Sequence, residues 1–455
     1  MYVRDTIAAI STPLGEGGIG IIRLSGDGVR HIGAALFRSV HDGGFQSHRF
    51  CYGTVVDSYG DCIDEVMAVW MQAPKSYTCE DVLEIHCHGG LLVTQRILEL
   101  ALSAGARLAE PGEFTKRAFL NGRIDLLQAE GVIDIIKSKT ESSLRMAQHQ
   151  REGLLSARLT APRDRLREAL ALVEAHIDFP DEEIDPQSLD EVADGVEFVS
   201  RELQLLITSY RQGKVLRDGV AVAIVGKPNV GKSSLLNTLL QEKRAIVTAM
   251  PGTTRDVIEE VINIGGLPVR LLDTAGIRET IDEVEQLGIE LTLDRISIAD
   301  LVLFLVDSAR PFDSDDQRIL DAIGDVPVLL VSSKSDLTQS MVLPEEAMRL
   351  PSVAVSTMTG LGIDQLRAAI LSTFMSGAAM DSREFVALSQ MRHRDALKRA
   401  ADALDAVRAG ISANAELEIL AIDLRESLHA IGDVTGETTP DDVLDLVFSR
   451  FCIGK

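Results

Sequence analysis

The chain lacks a long apolar run. None of its 455 residues lies in a stretch approaching the roughly 18 uninterrupted apolar residues of a membrane span, so a membrane-spanning class is excluded. The start, Met1-Tyr2-Val3-Arg4-Asp5-Thr6, lacks the charged-then-apolar pattern of a signal peptide, and a cytoplasmic location is expected. Cysteine is scarce: five, at 51, 62, 79, 87 and 452, an odd count without a CxxC pair. That excludes a disulfide framework and predicts reduced thiols. Basic charge is in deficit, with 45 Lys and Arg against 69 Asp and Glu and a net charge of −24. Such a chain does not bind nucleic acid as a polyelectrolyte; any contact needs a local basic patch or a partner protein. Internal repeats and low-complexity tracts are also missing. What remains, 45% hydrophobic and 25% charged, is globular and excludes collagen, coiled-coil and disordered classes. The length predicts about three domains.

The texture changes along the chain. Residues 1–121 mix short apolar runs with Gly-rich turns, such as Gly18–Gly26, Val66–Trp70 and Val82–Cys87, with a helical spacing over Leu91–Ala104. This predicts an α+β domain. Residues 122–217 turn to Leu, Ala, Glu and Arg, a helical composition broken by the acidic turn Phe179-Pro180-Asp181-Glu182-Glu183. Residues 218–377 alternate strands (Val220–Val225, Val269–Asp273, Val302–Asp307, Val326–Ser332, Val353–Ser356) with helices, which predicts a doubly wound α/β domain. Residues 378–455 are helical again, through Leu388–Ala430 and Asp441–Phe451. The simplest topology is one helical domain interrupted by an inserted α/β domain.

The strongest motif is Gly226-Lys227-Pro228-Asn229-Val230-Gly231-Lys232-Ser233, which fits G-x-x-x-x-G-K-[ST] between an apolar strand and a helix. Asn229, Val230, Gly231, Lys232, Ser233 and Ser234 are expected to hold a nucleotide. The loop's N–H groups and the helix N-terminus suit phosphates, Lys232 suits the β- and γ-phosphates, and the Ser233 hydroxyl suits Mg²⁺. Asp273-Thr274-Ala275-Gly276 fits a Walker-B-type aspartate with a γ-phosphate-sensing glycine. Before it, Gly252-Thr253-Thr254 lies where a switch loop offers Thr254 to Mg²⁺. Lys334 and Asp336 of Ser333-Lys334-Ser335-Asp336 form a base-reading motif, since an aspartate accepts from both N1–H and the 2-amino group of guanine. A backbone N–H at Ser356-Thr357 is expected to meet the guanine carbonyl. Together these predict a Ras-like P-loop GTPase.

Two positions depart from that pattern. Ser333 stands where asparagine is usual; it is shorter and lacks the amide fork, so a weaker tie between loops and weaker nucleotide binding are expected. Ile277 occupies the place of a water-orienting glutamine, and catalysis must come from elsewhere. Asn229 with the loop Thr248-Ala249-Met250-Pro251-Gly252-Thr253 could cage a monovalent cation; from chemistry alone, Asn229 reads equally well as a loop-stiffening hydrogen-bond partner. His86 and His88 share a strand face, but two ligands rarely make a metal site. Trp70 and the cysteines other than Cys452 are expected in the core.

Along essentially its whole length the sequence resembles the MnmE (TrmE) family of tRNA-modification GTPases. The resemblance is carried by Asp5–Ala9, Gly17–Gly26, Pro111–Gly122, Ile177–Glu183, the GTPase motifs and the C-terminal Phe451-Cys452-Ile453-Gly454-Lys455. It implies a tetrahydrofolate-binding-like N-terminal domain that holds 5-formyl-tetrahydrofolate and forms a homodimer. It implies a FAD-binding partner, MnmG (GidA), and addition of a carboxymethylaminomethyl-type group to carbon 5 of the wobble uridine. It also implies G domains that dimerise with K⁺ and GTP to trigger hydrolysis. By position, the folate contacts fall on Arg23, Glu80, Arg123 and Lys455, Arg123 standing where the family often has lysine. The K⁺ ligands fall on Asn229, Thr248, Met250 and Thr253. Glu285 falls on the water-positioning glutamate, which answers the deficit left by Ile277. Cys452 is expected to serve the modification chemistry. The competing expectation is a GTPase switch in ribosome assembly or signalling, which needs neither the N-terminal domain nor the Cys452 tail.

Overall fold

The computed structural model describes residues 5–40, 44–179, 186–242, 260–272, 296–338, 340–375 and 386–455. The chain forms two compact units. One comprises Met1–Ile133, Gln150–Thr160 and Arg425–Lys455; the other comprises Asp134–His149 and Ala161–Leu424.

The first unit is built on a seven-stranded sheet of order β3-β4-β5-β6-β2-β1-β7. Its strands are β1 (Ile7–Ile10), β2 (Gly17–Ser25), β3 (Phe37–Ser39), β4 (Phe50–Val56), β5 (Cys62–Met71), β6 (Val82–Gly89) and β7 (Arg107–Leu108). All pairs are antiparallel except β1 with β7. Helices α1 (Val29–Leu36) and α2 (Leu91–Ser103) supply Val29, Ile32, Leu36, Ile97 and Ala101 to a core with Ile22, Leu24, Leu83 and Ile85. Strand alternation sends the neighbours of these residues to the opposite face. Thus Ala8 joins the helix-covered core, while Ile7 and Ala9 pack with Phe114 and Tyr77. Arg23, between Ile22 and Leu24, is turned to that second face.

Helix α3 (Glu113–Leu120) and the start of α4 (Leu126–Lys137) complete this side. The last helix and the tail join the same unit: Leu126, Ala129 and Ile133 share a buried cluster with Leu444, Val447, Phe448 and Phe451. One expectation meets a correction here. Trp70 and Cys87 are buried, but Cys51 and Cys79 are half-buried and Cys62 is exposed, because it starts β5 just beyond the turn at Gly60. His86 and His88 take separate carboxylates, Glu84 at 3.1 Å and Asp64 at 2.7 Å.

The second unit holds the long helices α5 (Glu141–Arg151, in part), α6 (Leu154–Asp178, from Ala161) and α7 (Pro186–Asp218). Helix α7 runs straight into a six-stranded sheet of order β13-β12-β11-β8-β10-β9. Its strands are β8 (Val220–Val225), β9 (Glu260–Ile264), β10 (Leu267–Leu272), β11 (Leu301–Asp307), β12 (Val328–Ser333) and β13 (Ser352–Ala354). Only β9 is antiparallel, and only to β10. Every residue of β8 is buried. Val220, Val222 and Ile224 face Leu235, Leu236 and Leu239 of α8 (Lys232–Glu242), whereas Ala221, Ala223 and Val225 face Phe304, Val306 and Ile323. A strand apolar on both faces belongs at the centre of a doubly wound sheet. Around it lie α9 (Ser314–Ile323), α10 (Glu345–Met348) and α11 (Ile363–Phe374), followed by α12 (Met391–Ser412) and α13 (Leu417–Thr435); α14 (Asp441–Phe448) returns to the first unit.

Candidate functional sites

The phosphate loop lies where β8 passes into α8. Gly226 has φ +156°, and a Cβ there would collide with the Leu305 carbonyl of β11. Gly231 has φ +101°, a left-handed region that glycine enters freely. Asn229 has φ +63° and is exposed; asparagine tolerates this region better than most residues. Lys232 curls back over the loop, its Nζ donating to the carbonyls of Gly226 at 2.7 Å and Lys227 at 2.8 Å. Burial pulls its pKa below the ordinary lysine value, because the ammonium has left water for carbonyl dipoles alone. An anionic phosphate is the group that reverses this cost. Ser233 and Ser234 are exposed at the helix start.

Two side chains fix the loop from behind. Lys227 is gripped by Asp313 at 2.7 Å and Asp316 at 2.8 Å, the two residues of the capping box that opens α9. Burial would lower its pKa, but the hydrogen bonds to both carboxylates outweigh that and raise it. Ser333 is buried, and its Oγ lies 2.6 Å from the Val230 carbonyl and 3.1 Å from the Val306 carbonyl. The tie from the base-reading loop to the phosphate loop, expected to suffer from the loss of asparagine, is made by the serine hydroxyl.

The base-reading loop is ordered around this tie. Lys334 takes φ +55° and its Nζ meets Asp307 Oδ2 at 2.7 Å. Burial pushes the Asp307 carboxyl up, but the Lys334 ammonium outweighs it and holds the carboxyl below the ordinary range. Asp336 is exposed on the turn that follows. The Ser356 N–H is already bonded to the Leu361 carbonyl at 2.8 Å, so of the expected pair Thr357 is the one placed to offer an N–H to a base. Thr248, Ala249, Met250, Pro251, Gly252, Thr253, Thr254, Asp273, Thr274, Ala275, Gly276, Ile277 and Glu285 lie outside the described residues.

A second polar site occupies the face of the first unit's sheet opposite α1 and α2, beside α3. Arg23 of β2 stands opposite Glu84 of β6 in the sheet register, and its Nε donates to Glu84 Oε1 at 2.8 Å. Its guanidinium lies 5.7 Å from the ring centres of both Tyr77 and Phe114. Arg123, which is exposed, sits 5.0 Å over the other reach of Tyr77 and donates to the Tyr77 carbonyl at 2.5 Å. Glu80 accepts from Ser25 at 2.7 Å and from Arg117 at 3.1 Å.

Beneath Glu80 lies a charge network that sequence reasoning missed. Arg117 is 1% exposed and meets Asp5 at 2.5 Å, Glu113 at 3.0 Å and Glu80. Arg107 joins it, reaching Asp5 and Glu113 at 2.6 Å each. Burial would raise the Glu113 and Asp5 carboxyls, yet the two guanidinium groups outweigh it and both pKa values fall.

The tail docks here rather than fraying. The Gly454 carbonyl accepts from Arg23 and from Ser11, both at 3.1 Å. Gly454 has φ +93°, and a Cβ would press on the Ile10 carbonyl at 2.5 Å. The Cys452 carbonyl accepts from the Gly112 N–H at 3.4 Å, and the Cys452 side chain is exposed. Lys455 is half-buried. Burial, aided by the charge of Arg23 and opposed by Glu84 and Cys452, pulls its pKa down. Arg23, Glu80 and Lys455 are therefore grouped around one face, with Arg123 at its rim. Glu84, Tyr77 and Arg117 were legible only through strand register and burial.

The chain is similar to known proteins over its whole length. A family profile described as GTP-binding protein TrmE N-terminus matches residues 6–123, and one described as MnmE helical domain matches residues 126–452. The tRNA modification GTPase MnmE of Geotalea uraniireducens is 61% identical over 456 residues, covering 100% of both chains. That of Geobacter metallireducens is 61% identical over 457 residues, also covering 100% of both. That of Chloroflexus aurantiacus is 48% identical over 457 residues, with 100% of each chain covered. Among solved structures, the G domain of the T. maritima FeoB iron transporter is 27% identical, covering 34% of this chain and 97% of its own, with a TM-score of 0.26.

Proposed function

The chain belongs to the MnmE family of tRNA modification GTPases, and from that premise we propose how its two sites divide the work. It binds and hydrolyses GTP in the service of tRNA modification. The G domain reads guanine through Asp336, with Lys334 fixing the loop and Thr357 offering an N–H. Lys232 takes the β- and γ-phosphates, on a loop made of Asn229, Val230, Gly231, Ser233 and Ser234. Ser233 and Thr254 would hold Mg²⁺, which would screen phosphate charge. Asn229, Thr248, Met250 and Thr253 would hold K⁺, and Glu285 would orient the attacking water where Ile277 cannot. Thr248–Thr254 and Asp273–Gly276 are assigned to the same nucleotide.

The N-terminal face holds the one-carbon donor, 5-formyl-tetrahydrofolate. The observation that carries this reading is the grouping of Arg23, Glu80 and the docked Gly454-Lys455 tail. Their donor set fits the group: Glu80, anchored by Ser25 and Arg117, accepts from a pterin's amino and ring N–H groups, while Lys455 and Arg123 suit the carboxylates of its glutamate tail. The depressed Lys455 pKa fits an ammonium that gains from an added anion. Cys452 lies three residues before Lys455 and presents an exposed thiol to the chemistry. A FAD-binding partner of the MnmG kind and a second copy of this chain complete the enzyme in the cytoplasm. A division into 1–121, 122–217, 218–377 and 378–455 is our working domain map. Among the described residues, no helix is long and apolar enough to cross a membrane.

Titrating 5-formyl-tetrahydrofolate into the full chain by calorimetry tests the N-terminal half of the proposal. Wild type should bind, and Glu80→Gln should weaken binding about tenfold or more, the worth of one charge-assisted hydrogen bond. Absence of heat with wild type would remove folate from this face.

A further inference from the structure

A chain of net charge −24 that serves tRNA can itself touch a polyanion only through a local cationic surface. The second unit contains one, on the antiparallel pair α7 and α12. Three contacts fix their register: Arg408 to Glu197 at 2.8 Å, the Arg394 guanidinium 4.8 Å over the Tyr210 ring, and Gly213 set so close to Leu388 that a Cβ would strike its carbonyl. The end of α7 therefore lies beside the start of α12.

Charge is segregated along this pair. At one end, α7 carries Asp190, Glu191, Asp194, Glu197 and Glu202, and α12 carries Asp402 and Asp405, against Arg201 and Arg408 alone. At the other end, α7 carries Arg211, Lys214 and Arg217, and α12 carries Arg392, Arg394, Lys398 and Arg399. Within the two helices only Asp218 and Asp395 oppose them there, and Asp134 pairs with Arg217 at 2.8 Å. Arg211, Lys214, Lys398 and Arg399 are exposed. Among the described residues, no carboxylate pairs with Arg211, Lys214 or Lys398. Arg211 and Lys214 are three apart on α7, and Arg394 and Lys398 four apart on α12, so each pair shares a helix face. Arg394, stacked on Tyr210, joins the two rows.

We propose that this basic end of the α7–α12 pair is a surface on which the phosphate backbone of the tRNA rests; the proposal builds on the tRNA reading above. An acidic protein is the weaker fit. A protein interface needs an apolar centre, and across 208–218 and 391–399 Met391 is the one exposed large apolar side chain. Phosphate contacts need only cations and fix position without reading sequence.

The test measures tRNA binding by fluorescence anisotropy as a function of salt, using the full chain and the triple variant Arg211→Glu, Lys214→Glu, Lys398→Glu. These residues lie outside the nucleotide and folate sites, so GTP hydrolysis should be unchanged. The expected result is a loss of about 30-fold or more in affinity at low salt, with a log–log salt slope shallower by about two. A neutral triple, Arg211→Gln, Lys214→Gln, Lys398→Gln, should show the same direction if the charge-reversed chain folds poorly. Wild-type affinity and slope in a folded triple would overturn the proposal, as would a wild-type chain that binds no tRNA at low salt. A variant that keeps tRNA binding but loses wobble modification in cells would assign the patch to an acidic protein and overturn it too. Failure of the tRNA reading itself is separate: it would appear as unchanged wobble nucleosides in a strain lacking the protein.

Discussion

The two sites handle buried cations in opposite ways. Arg117 in the N-terminal unit meets three carboxylates and is sealed at 1% exposure. Lys232 in the phosphate loop is bonded to backbone carbonyls, with its pKa depressed by burial. The first cation belongs to a closed network, where its removal takes a charged partner from Glu80 while Arg107 still holds Asp5 and Glu113. The second is held ready at a desolvation cost that a phosphate relieves. Stability and binding should therefore separate: the N-terminal network answers to denaturation, the loop to nucleotide.

The largest expected effect breaks the nucleotide side of that comparison. Asp336→Asn should cost guanine discrimination about 10⁴-fold and move preference toward xanthosine triphosphate, because the N1–H and 2-amino donors of guanine lose their acceptor. Equal GTP affinity in the variant, measured by competition binding, would show that Asp336 does not read the base. Next, Arg117→Met should destabilise the N-terminal unit by about 1–3 kcal/mol, since Glu80 loses this charged partner while Asp5 and Glu113 keep Arg107. Denaturant unfolding measures this, and GTP affinity should stay at the wild-type value. A loss under about 1 kcal/mol would mean that Glu80 is satisfied without it.

A smaller effect sharpens the comparison. Ser333→Ala removes the hydroxyl that ties Val230 to the base-reading loop and should weaken GTP binding by roughly fivefold, the worth of one buried hydrogen bond near 1 kcal/mol. Unchanged affinity would make the tie incidental. The smallest effect is in pH. Asp5 and Glu113 have folded pKa values below their ordinary ones, so their stabilisation is complete above the ordinary carboxylate range and is lost as pH falls through the lower folded values. Thermal unfolding should thus report a steeper acid loss for the N-terminal unit in wild type than in an Asp5→Asn, Glu113→Gln double variant. Parallel curves would refute the linkage.

The same contrast explains what the sequence revealed. The phosphate loop was legible because its spacing is dictated by a ligand, and β8, β11 and β12 because strands buried on both faces read as apolar runs. β9 (Glu260–Ile264) was not expected: it is a short edge strand with Glu260 and Asn263 interrupting its apolar positions. β1 was missed because Ile-Ala-Ala-Ile is only four residues long and shows no apolar–polar alternation, and its place is set by β2 and β7. Arg23 came from resemblance, but its partner Glu84 follows from register alone. The Ser333 tie to Val230 was not legible, because it depends on which backbone carbonyl the hydroxyl reaches in the fold.

The central claim is that GTP hydrolysis and the docked Cys452 tail serve one reaction on tRNA. Nucleoside analysis of tRNA from a strain lacking the protein tests it most directly. The account predicts that the modified wobble uridine disappears, returns with the wild-type chain, and stays absent with Cys452→Ser even though that variant hydrolyses GTP normally. A deletion strain that keeps its modified wobble uridine would contradict the account.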